Sequence, residues 1–554
     1  MLIEIVKFIG KETEGSKFSI LIMSLTSGIS RGLLLAIINA TAASAITYHI
    51  NHSHIAYFIL FFLLYICSSY YVKVNSSSQI ESARQRLTLR LCDKLLLAEL
   101  HLIESFGQND LFQKIRTDLN TVCNVATNVL SSGQASILLF FCLLYITWLL
   151  PVALFFTLLT IIAAVSIYLY QNRKIVDSVR ETRKTSVEVS KRVNDLLRGF
   201  KELKVSRNKR TDFNRHVTEI SNRYKTLNIK VSSLQAVTFI TTQVFIFSLI
   251  AVVIFILPGR FMIDNTITFQ FFASILFLIG PLETLISSFQ NITKANVALE
   301  NIYQLENILD QSISELKDNN QDAVNFRLQN IELNDVCFRY KLTHTDDIFE
   351  IGPINLNIVK GEILFIVGGN GTGKTTFLKI LAGLYVPSSG SIRINGQQLT
   401  LENYQRYREM FTTIFDDFHL FERLYGIPSN NLMNISTILK NMKLDKKTHF
   451  ENDHFTSINL SRGQKKRLAY TVSCLEDKQI IIFDEFATDQ DPEFRKYFYH
   501  TILPQLKAYG KTVVAVTHDD TYFDVCDQLI KMDYGMIVDY TNSHSDLKLS
   551  GNKN

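Results

Sequence analysis

The residues with the most chemical content lie in one short stretch, Gly368-Gly369-Asn370-Gly371-Thr372-Gly373-Lys374-Thr375-Thr376. It follows a fully apolar strand-like run, Ile363 to Val367, and leads into an apolar helical pattern. This is GxxxxGK[ST] between a strand and a helix, the context in which glycines let the backbone wrap its N–H groups around phosphate. The helix start beyond it adds positive potential. Lys374 is placed to reach the β- and γ-phosphates, and the Thr375 hydroxyl to ligate Mg²⁺. A second apolar strand, Gln479 to Phe483, ends in Asp484-Glu485. Carboxylates there sit at the strand edge where open α/β folds bind ligands. One can hold a metal ion while the other polarises water, and the strand-end Asp484 is assigned to the ion and Glu485 to the attacking water. The chemistry expected is hydrolysis of a nucleoside triphosphate.

The elements that must position these groups differ between the two halves of the chain. Mean hydropathy is +0.12 and 20% of the 554 residues are charged, values that argue against a wholly soluble protein. Apolar runs long enough for the roughly 20 residues of a bilayer crossing occur near 18–46, 54–74, 127–149, 152–171, 232–257 and 268–289. The first is too long for a cleaved signal core and carries Arg31, so it is read as a span. Lys and Arg concentrate between spans two and three (Arg84, Arg86, Arg90, Lys94) and between spans four and five (Arg173, Lys174, Lys201, Arg207). By the positive-inside rule both loops, and with six spans both termini, are cytoplasmic. The remainder, with short Ile/Val/Phe strands and glycine turns, reads as a separate α/β domain. The expected division is 1–320 for the membrane domain and 321–554 for the ATP-binding domain.

The balance of 57 Lys+Arg against 52 Asp+Glu leaves a net charge of +5, too little to recruit nucleic acid, and the local basic runs follow the membrane rule. Seven scattered cysteines form no CxxC pair, which excludes a disulfide framework or zinc knuckle. The two basic loops contain few breakers, so their helices are expected to run on beyond the bilayer. Arg198-Gly199-Phe200-Lys201-Glu202-Leu203-Lys204 within the second is a candidate docking surface. Two ionisable residues inside spans, Arg31 and Glu283, are candidate cargo contacts.

Leu460-Ser461-Arg462-Gly463-Gln464, shortly before Asp484, makes the resemblance to ATP-binding-cassette (ABC) transporters specific. The resemblance implies that Ser461, Gly463 and Gln464 contact the γ-phosphate held by an opposite subunit, hence a homodimer. It also implies that His518 is the switch histidine, that Asp491 ends the D-loop, and that Tyr340 stacks on adenine. Arg462 stands where the commonest form has glycine, and Asp416 where the family's Q-loop glutamine, a metal contact, is expected. Gly352-Pro353-Ile354-Asn355-Leu356, Gly369-Asn370-Gly371, Ser461 to Arg467 and Asp484 to Pro492 resemble the bacterial cyclic-peptide and siderophore exporters. That branch implies six all-α spans followed by one α/β P-loop cassette, with ATP and Mg²⁺ as cofactors and efflux of a peptide-like or siderophore-like compound. A lipid or multidrug exporter, and a nucleotide-gated channel or sensor, are the alternatives.

Overall fold

A computed structural model of the chain describes residues 8, 10, 12, 17–46, 52–106, 111, 114–149, 151–256, 265–313, 327–341 and 348–542. The expected domain boundary near 320 lies outside them. The chain divides into two compact units, residues 1–96 with 106–310, and 97–105 with 311–554.

The first unit is helical. Its elements are α1 (Lys17–Ile46), α2 (His52–Leu97), α3 (Leu100–Phe106, mostly counted with the second unit), α4 (Leu119–Leu149), α5 (Pro151–Arg198), α6 (Phe200–Val205), α7 (Arg207–Ala251) and α8 (Asn265–Ile313). Among the described residues five helices are long and apolar enough to cross a membrane: Phe18–Ala42, Ser53–Leu97, Ile115–Leu149, Arg207–Ala251 and Ile267–Gln311. The fourth expected run, 152–171, forms the first part of α5 without a break before the charged remainder of that helix. Along α2 the residues Ile55, Phe58, Ile59, Leu60, Phe62 and Leu63 are all exposed. So continuous an apolar surface fits lipid rather than water.

The bundle's apolar centre gathers Leu35 of α1, Leu138, Cys142 and Ile146 of α4, and Phe271, Ile275 and Leu278 of α8. Beyond the apolar stretches the helices are joined by charge instead. Arg90 bonds Glu12 at 2.9 Å and Glu306 at 2.8 Å, and Lys94 bonds Asp310 at 2.8 Å. The fully buried Asp118 pairs with Arg183 and accepts from Asn301. A buried carboxylate persists only when so neutralised.

The second unit is built on a six-stranded sheet in the order β12-β11-β3-β10-β9-β6. Its strands are β3 (Ile363–Val367), β6 (Phe411–Ile414), β9 (Ile480–Asp484), β10 (Thr512–Val516), β11 (Gln528–Asp533) and β12 (Met536–Asn542), parallel except for β12 at the edge. β3, β9 and β10 are nearly all Ile, Val and Phe and are buried almost throughout, as a parallel sheet covered on both faces requires. One face packs on an antiparallel sheet of β1 (Asn330–Lys341), β2 (Ile348–Val359), β4 (Ser389–Ile394) and β5 (Gln397–Gln398), together with helix α9 (Lys374–Leu381). Against the other face lies a helical layer that includes α10 (Arg462–Glu476). The small strands β7 (Phe450–Glu451) and β8 (His454–Phe455) pair in this layer.

The segment Leu97–Ser105 belongs to this unit although in sequence it joins the second and third membrane helices, α2 and α4. Leu100 packs on the core beside β1, and His101 meets the rings of Phe338 and Tyr385 edge-on at 6.1 and 6.0 Å. Glu104 accepts from Lys379 Nζ at 2.8 Å and from the Tyr385 hydroxyl. The sequence reading did not single out this segment.

Candidate ATP site

The site assembles because three adjacent parallel strands end at one edge. Val516 of β10 is in register with Ile366 of β3 on one side and with Asp484 of β9 on the other. The turns beginning at Gly368, Glu485 and Thr517 therefore emerge side by side. β6 flanks β9, with Ile414 beside Phe483, and so brings Asp416 to the same edge.

After β3 the chain turns through positive φ at Gly368 (151°), Gly371 (79°) and Gly373 (99°) before α9 begins. A Cβ on Gly368 would stand 2.3 Å from the Met532 carbonyl oxygen, so only glycine fits there. Asn370, Gly371, Gly373, Lys374, Thr375, Thr376 and Glu485 line a cavity of about 360 Å³, together with Phe349. Gly369 is exposed beside it, and Thr372 Oγ1 closes the turn by donating to the Gly369 carbonyl at 2.9 Å.

Lys374 is nearly buried, and its Nζ donates to the Gly368 and Gly369 carbonyls at 2.9 and 2.8 Å. Burial holds its pKa below the ordinary lysine value, with the charges of Glu485 and Asp484 opposing the shift. Thr375 Oγ1 donates to Asp484 Oδ2 at 2.9 Å. Burial raises the Asp484 carboxyl above its usual range; the Thr375 hydrogen bond opposes this, and the negative charges of Glu485 and Asp416 add to it. A hydroxyl and a carboxylate beside a phosphate cradle are the hard oxygen donors that suit Mg²⁺. Among the described residues no group of three or more His, Cys, Asp or Glu could hold a metal alone. A cation here would therefore take its remaining ligands from phosphate and water.

Glu485 adopts the left-handed conformation (φ 50°, ψ 39°), and its Oε1 lies 3.2 Å from His518 Nε2. Ahead of the histidine, Thr517 Oγ1 shares a hydrogen bond of 2.6 Å with the Tyr499 hydroxyl and accepts from the Asp519 amide at 3.0 Å. The two groups expected to act on water and on the γ-phosphate thus touch one another.

Ser461, Gly463 and Gln464 form the start of α10. Ser461 caps the helix, with its side chain accepting from the Gln464 amide while the Gln464 side chain accepts from the Ser461 amide. Such a cap stabilises by about 1 kcal/mol. A Cβ on Gly463 would be 2.4 Å from the Asp489 carbonyl oxygen, so the signature turn and the D-loop pack backbone to backbone. None of the three signature residues lines the cradle cavity. Asp491 caps the next helix through the Phe494 amide at 2.8 Å and pairs with Arg467.

Other expected site residues lie differently. Both Asp416 carboxylate oxygens face Arg462 Nη2, at 2.6 and 2.5 Å, and Oδ1 is 3.1 Å from Lys466 Nζ. Burial would raise this carboxyl, but hydrogen bonds and charge from Lys466 and Arg462 carry it below the usual carboxylate range. The metal role expected of Asp416 therefore competes with two cations that already hold it. Tyr340 lies in β1 opposite Phe349 of β2, and its side chain is outside the described residues. Phe349, which the sequence reading missed, is the aromatic that lines the cavity.

In the membrane unit Arg31 lies over the rings of Tyr65 and Phe277, 5.8 and 5.5 Å from their centroids. Glu283 accepts from Gln243 at 3.4 Å, and among the described residues no ion pair joins the two. A separate cleft of about 450 Å³ is lined by Ala36, Ala40, Tyr145, Trp148, Leu149, Ile267 and Gln270. The buried Asn39 beside it donates to Ser274 Oγ at 3.1 Å and to the Gln270 carbonyl at 3.2 Å.

Residues 351–488 match the family described as ABC transporter, and residues 17–282 match the ABC transporter transmembrane region. The chain is 30% identical to the ATP-binding protein SyrD of Pseudomonas syringae pv. syringae over 82% of each chain. It is also 32% identical, over 38% of its own length and 78% of the relative's, to the energy-coupling factor transporter ATP-binding protein EcfA1 of Mycoplasma mobile. Its fold is that of a bacterial Atm1-family ABC exporter solved with ATP bound, at a TM-score of 0.76, 17% identity and 94% coverage of both chains. A membrane-spanning unit fused to one cassette, with the phosphate cradle, strand-end acids and signature helix in place, identifies the chain as a member of the ABC transporters, in which ATP hydrolysis is coupled to transport.

Proposed function

We propose that two copies of this chain form an ATP-driven efflux pump of the cytoplasmic (inner) membrane, with both termini inside, exporting a peptide-like or siderophore-like compound. The observation that carries the pairing is the separation of the cradle from the signature: Lys374, Thr375 and Glu485 line the cavity, and Ser461, Gly463 and Gln464 do not. A second copy would supply the missing face, and exchange between identical chains gives two equivalent sites in a C₂ dimer. The exposed apolar side chains of α6, Phe200 and Val205, support the same reading.

In this reading ATP is gripped by the glycine turn and Lys374 of one copy and by Ser461 of the other. Mg²⁺, held through Thr375 and Asp484, would add Lewis-acid neutralisation of the phosphate oxygens. Glu485, held by His518, orients and deprotonates the attacking water. His518 and Lys374 meet charge developing on the γ-phosphoryl group. Loss of that phosphate releases the grip and lets the two cassettes part.

For cargo, the branch-specific motifs support a peptide-like or siderophore-like compound. The cleft beside Asn39 offers two aromatic rings and a side-chain amide but no charged side chain, which favours a neutral, amide-bearing molecule over an anionic siderophore. Arg31 and Glu283 do not line this cleft; with both termini inside, it lies at the outward ends of α1 and α4 and the outward start of α8, which supports a contact with cargo on its way out, through Tyr145, Trp148 and Gln270. In sealed vesicles containing the purified protein, ATP should drive uphill movement of such a compound. Movement only down a gradient would indicate a gated channel, and selective stimulation by lipids a lipid exporter.

A further inference from the structure

We propose that Lys466 is a positioning residue for Glu485, with Asp416, Arg462 and Asp489 as the charge clamp that makes a buried lysine possible there. This rests on the assignment of Glu485 to water activation. Lys466 is fully buried in the second turn of α10. Its ammonium has three protons and meets three acceptors: the Glu485 carbonyl at 2.7 Å, Asp489 at 2.7 Å and Asp416 at 3.1 Å.

Arg462, one turn earlier on the same helix face, reaches the same two carboxylates, with Nη2 2.5 Å from Asp416 and Nε 3.2 Å from Asp489. Two cations and two anions thus form a closed, neutral square. The square ties together the strand-β6 loop, the signature helix and the D-loop. Its output is one hydrogen bond to the backbone of Glu485, a non-glycine residue at φ 50°. Such a conformation persists only when its surroundings over-determine it. The turn that holds this carbonyl also carries the Glu485 side chain, 3.2 Å from His518.

The two residues that depart from the superfamily pattern, Asp416 and Arg462, are therefore partners. A neutral side chain at 416 would leave Lys466 with one counter-charge fewer, and a glycine at 462 would open the square.

The test uses the full-length protein in lipid nanodiscs, comparing Lys466→Gln, Asp416→Asn and the double variant with wild type. Steady-state ATPase and thermal unfolding are measured for each. Lys466→Gln is expected to lower kcat about tenfold or more while KM for ATP changes less than about threefold. The double variant, which restores neutrality with two amides, is expected to recover at least about threefold of that loss. A residue that only supports the fold would instead lower the unfolding temperature and the active fraction, with kcat per folded, ATP-binding molecule unchanged; that result overturns the proposal. So does normal kcat in Lys466→Gln, or a double variant no better than the single. If Lys466→Gln does not fold, the double variant alone decides: a kcat below that of Asp416→Asn at equal folded fraction supports the role, and equality overturns it. Glu485→Gln is run alongside. Turnover retained in Glu485→Gln removes the water assignment itself, whereas a stalled Glu485→Gln with normal Lys466→Gln removes only the positioning role.

Discussion

Two short helices interrupt the long helices of the membrane half, and their surroundings are opposite. The segment Leu97–Ser105, which contains most of α3, is part of the ATP-binding unit: Leu100 joins its core, and Glu104 is held by Lys379 and Tyr385. α6, Phe200–Val205, has no buried residue; Phe200 is 55% and Val205 89% exposed. Both helices lie outside the segments that are long and apolar enough to cross a membrane, so exposed apolar side chains there are not assigned to lipid. The difference teaches that one of these helices is satisfied within the chain while the other keeps its apolar side chains exposed, in parallel with an ATP site whose cradle and signature do not share a cavity.

The largest effect that bears on this contrast is Glu485→Gln. Loss of the water-activating carboxylate should cut turnover by a factor of about 10² or more while ATP binding persists. The variant should then accumulate as a closed dimer in which α6 is protected from hydrogen exchange. Normal steady-state hydrolysis would break the assignment. Lys374→Ala should weaken ATP binding itself and leave α6 unprotected at any practical nucleotide concentration; unchanged affinity would count against the cradle.

A smaller effect is expected from Phe200→Glu combined with Val205→Glu. If α6 docks on the second copy, transport should fall about tenfold while basal ATPase stays within about twofold, since an interface anchor is lost but no catalytic group is. Equal loss of both activities would place α6 in folding rather than coupling. Smaller again is Glu104→Gln, which replaces a charge-assisted contact by a neutral one. It should reduce cargo-stimulated ATPase a few-fold, at a cost of about 1 kcal/mol.

The smallest effect concerns Asp416, whose carboxyl is held below its usual range by Lys466 and Arg462. A depressed carboxyl contributes stability above its unfolded pKa, near 3.9, and loses it as pH falls through the folded value. The unfolding temperatures of wild type and Asp416→Asn should therefore differ at neutral pH and converge only below the ordinary carboxylate range. A gap unchanged by acid would mean that the charge on Asp416 is irrelevant to the clamp.

Much of the ATP site was legible because its chemistry is local. The cradle is contiguous and lies between a buried strand and a helix, and Asp484-Glu485 ends a second strand, so pattern alone placed Lys374, Thr375, Asp484 and Glu485. What escaped depends on pairing between distant segments. Phe349 reaches the cavity because β2 lies beside β1 in a register that sets it against Tyr340. The direction of the Asp416 carboxylate follows from β6 lying beside β9, which brings it to α10. Lys466 reads as an ordinary helical lysine, although its spacing of four from Arg462 was visible. Leu100, His101 and Glu104 carry no motif, and only the folded surface of Phe338, Lys379 and Tyr385 gives them meaning. In the membrane half, hydropathy marked apolar runs but could not show that Arg31 would lie over two aromatic rings, since that depends on which helices adjoin.

The most direct test of the account is complementation between two inactive chains, Lys374→Ala with a broken cradle and Ser461→Arg with a broken signature. If each site takes its cradle from one copy and its signature from the other, a mixed dimer holds one site broken twice and one site intact. Random pairing at equal expression should then restore about a quarter of the wild-type ATPase rate, since half the dimers are mixed and each has one working site of two. A mixture that remains as inactive as either variant alone would contradict the shared site.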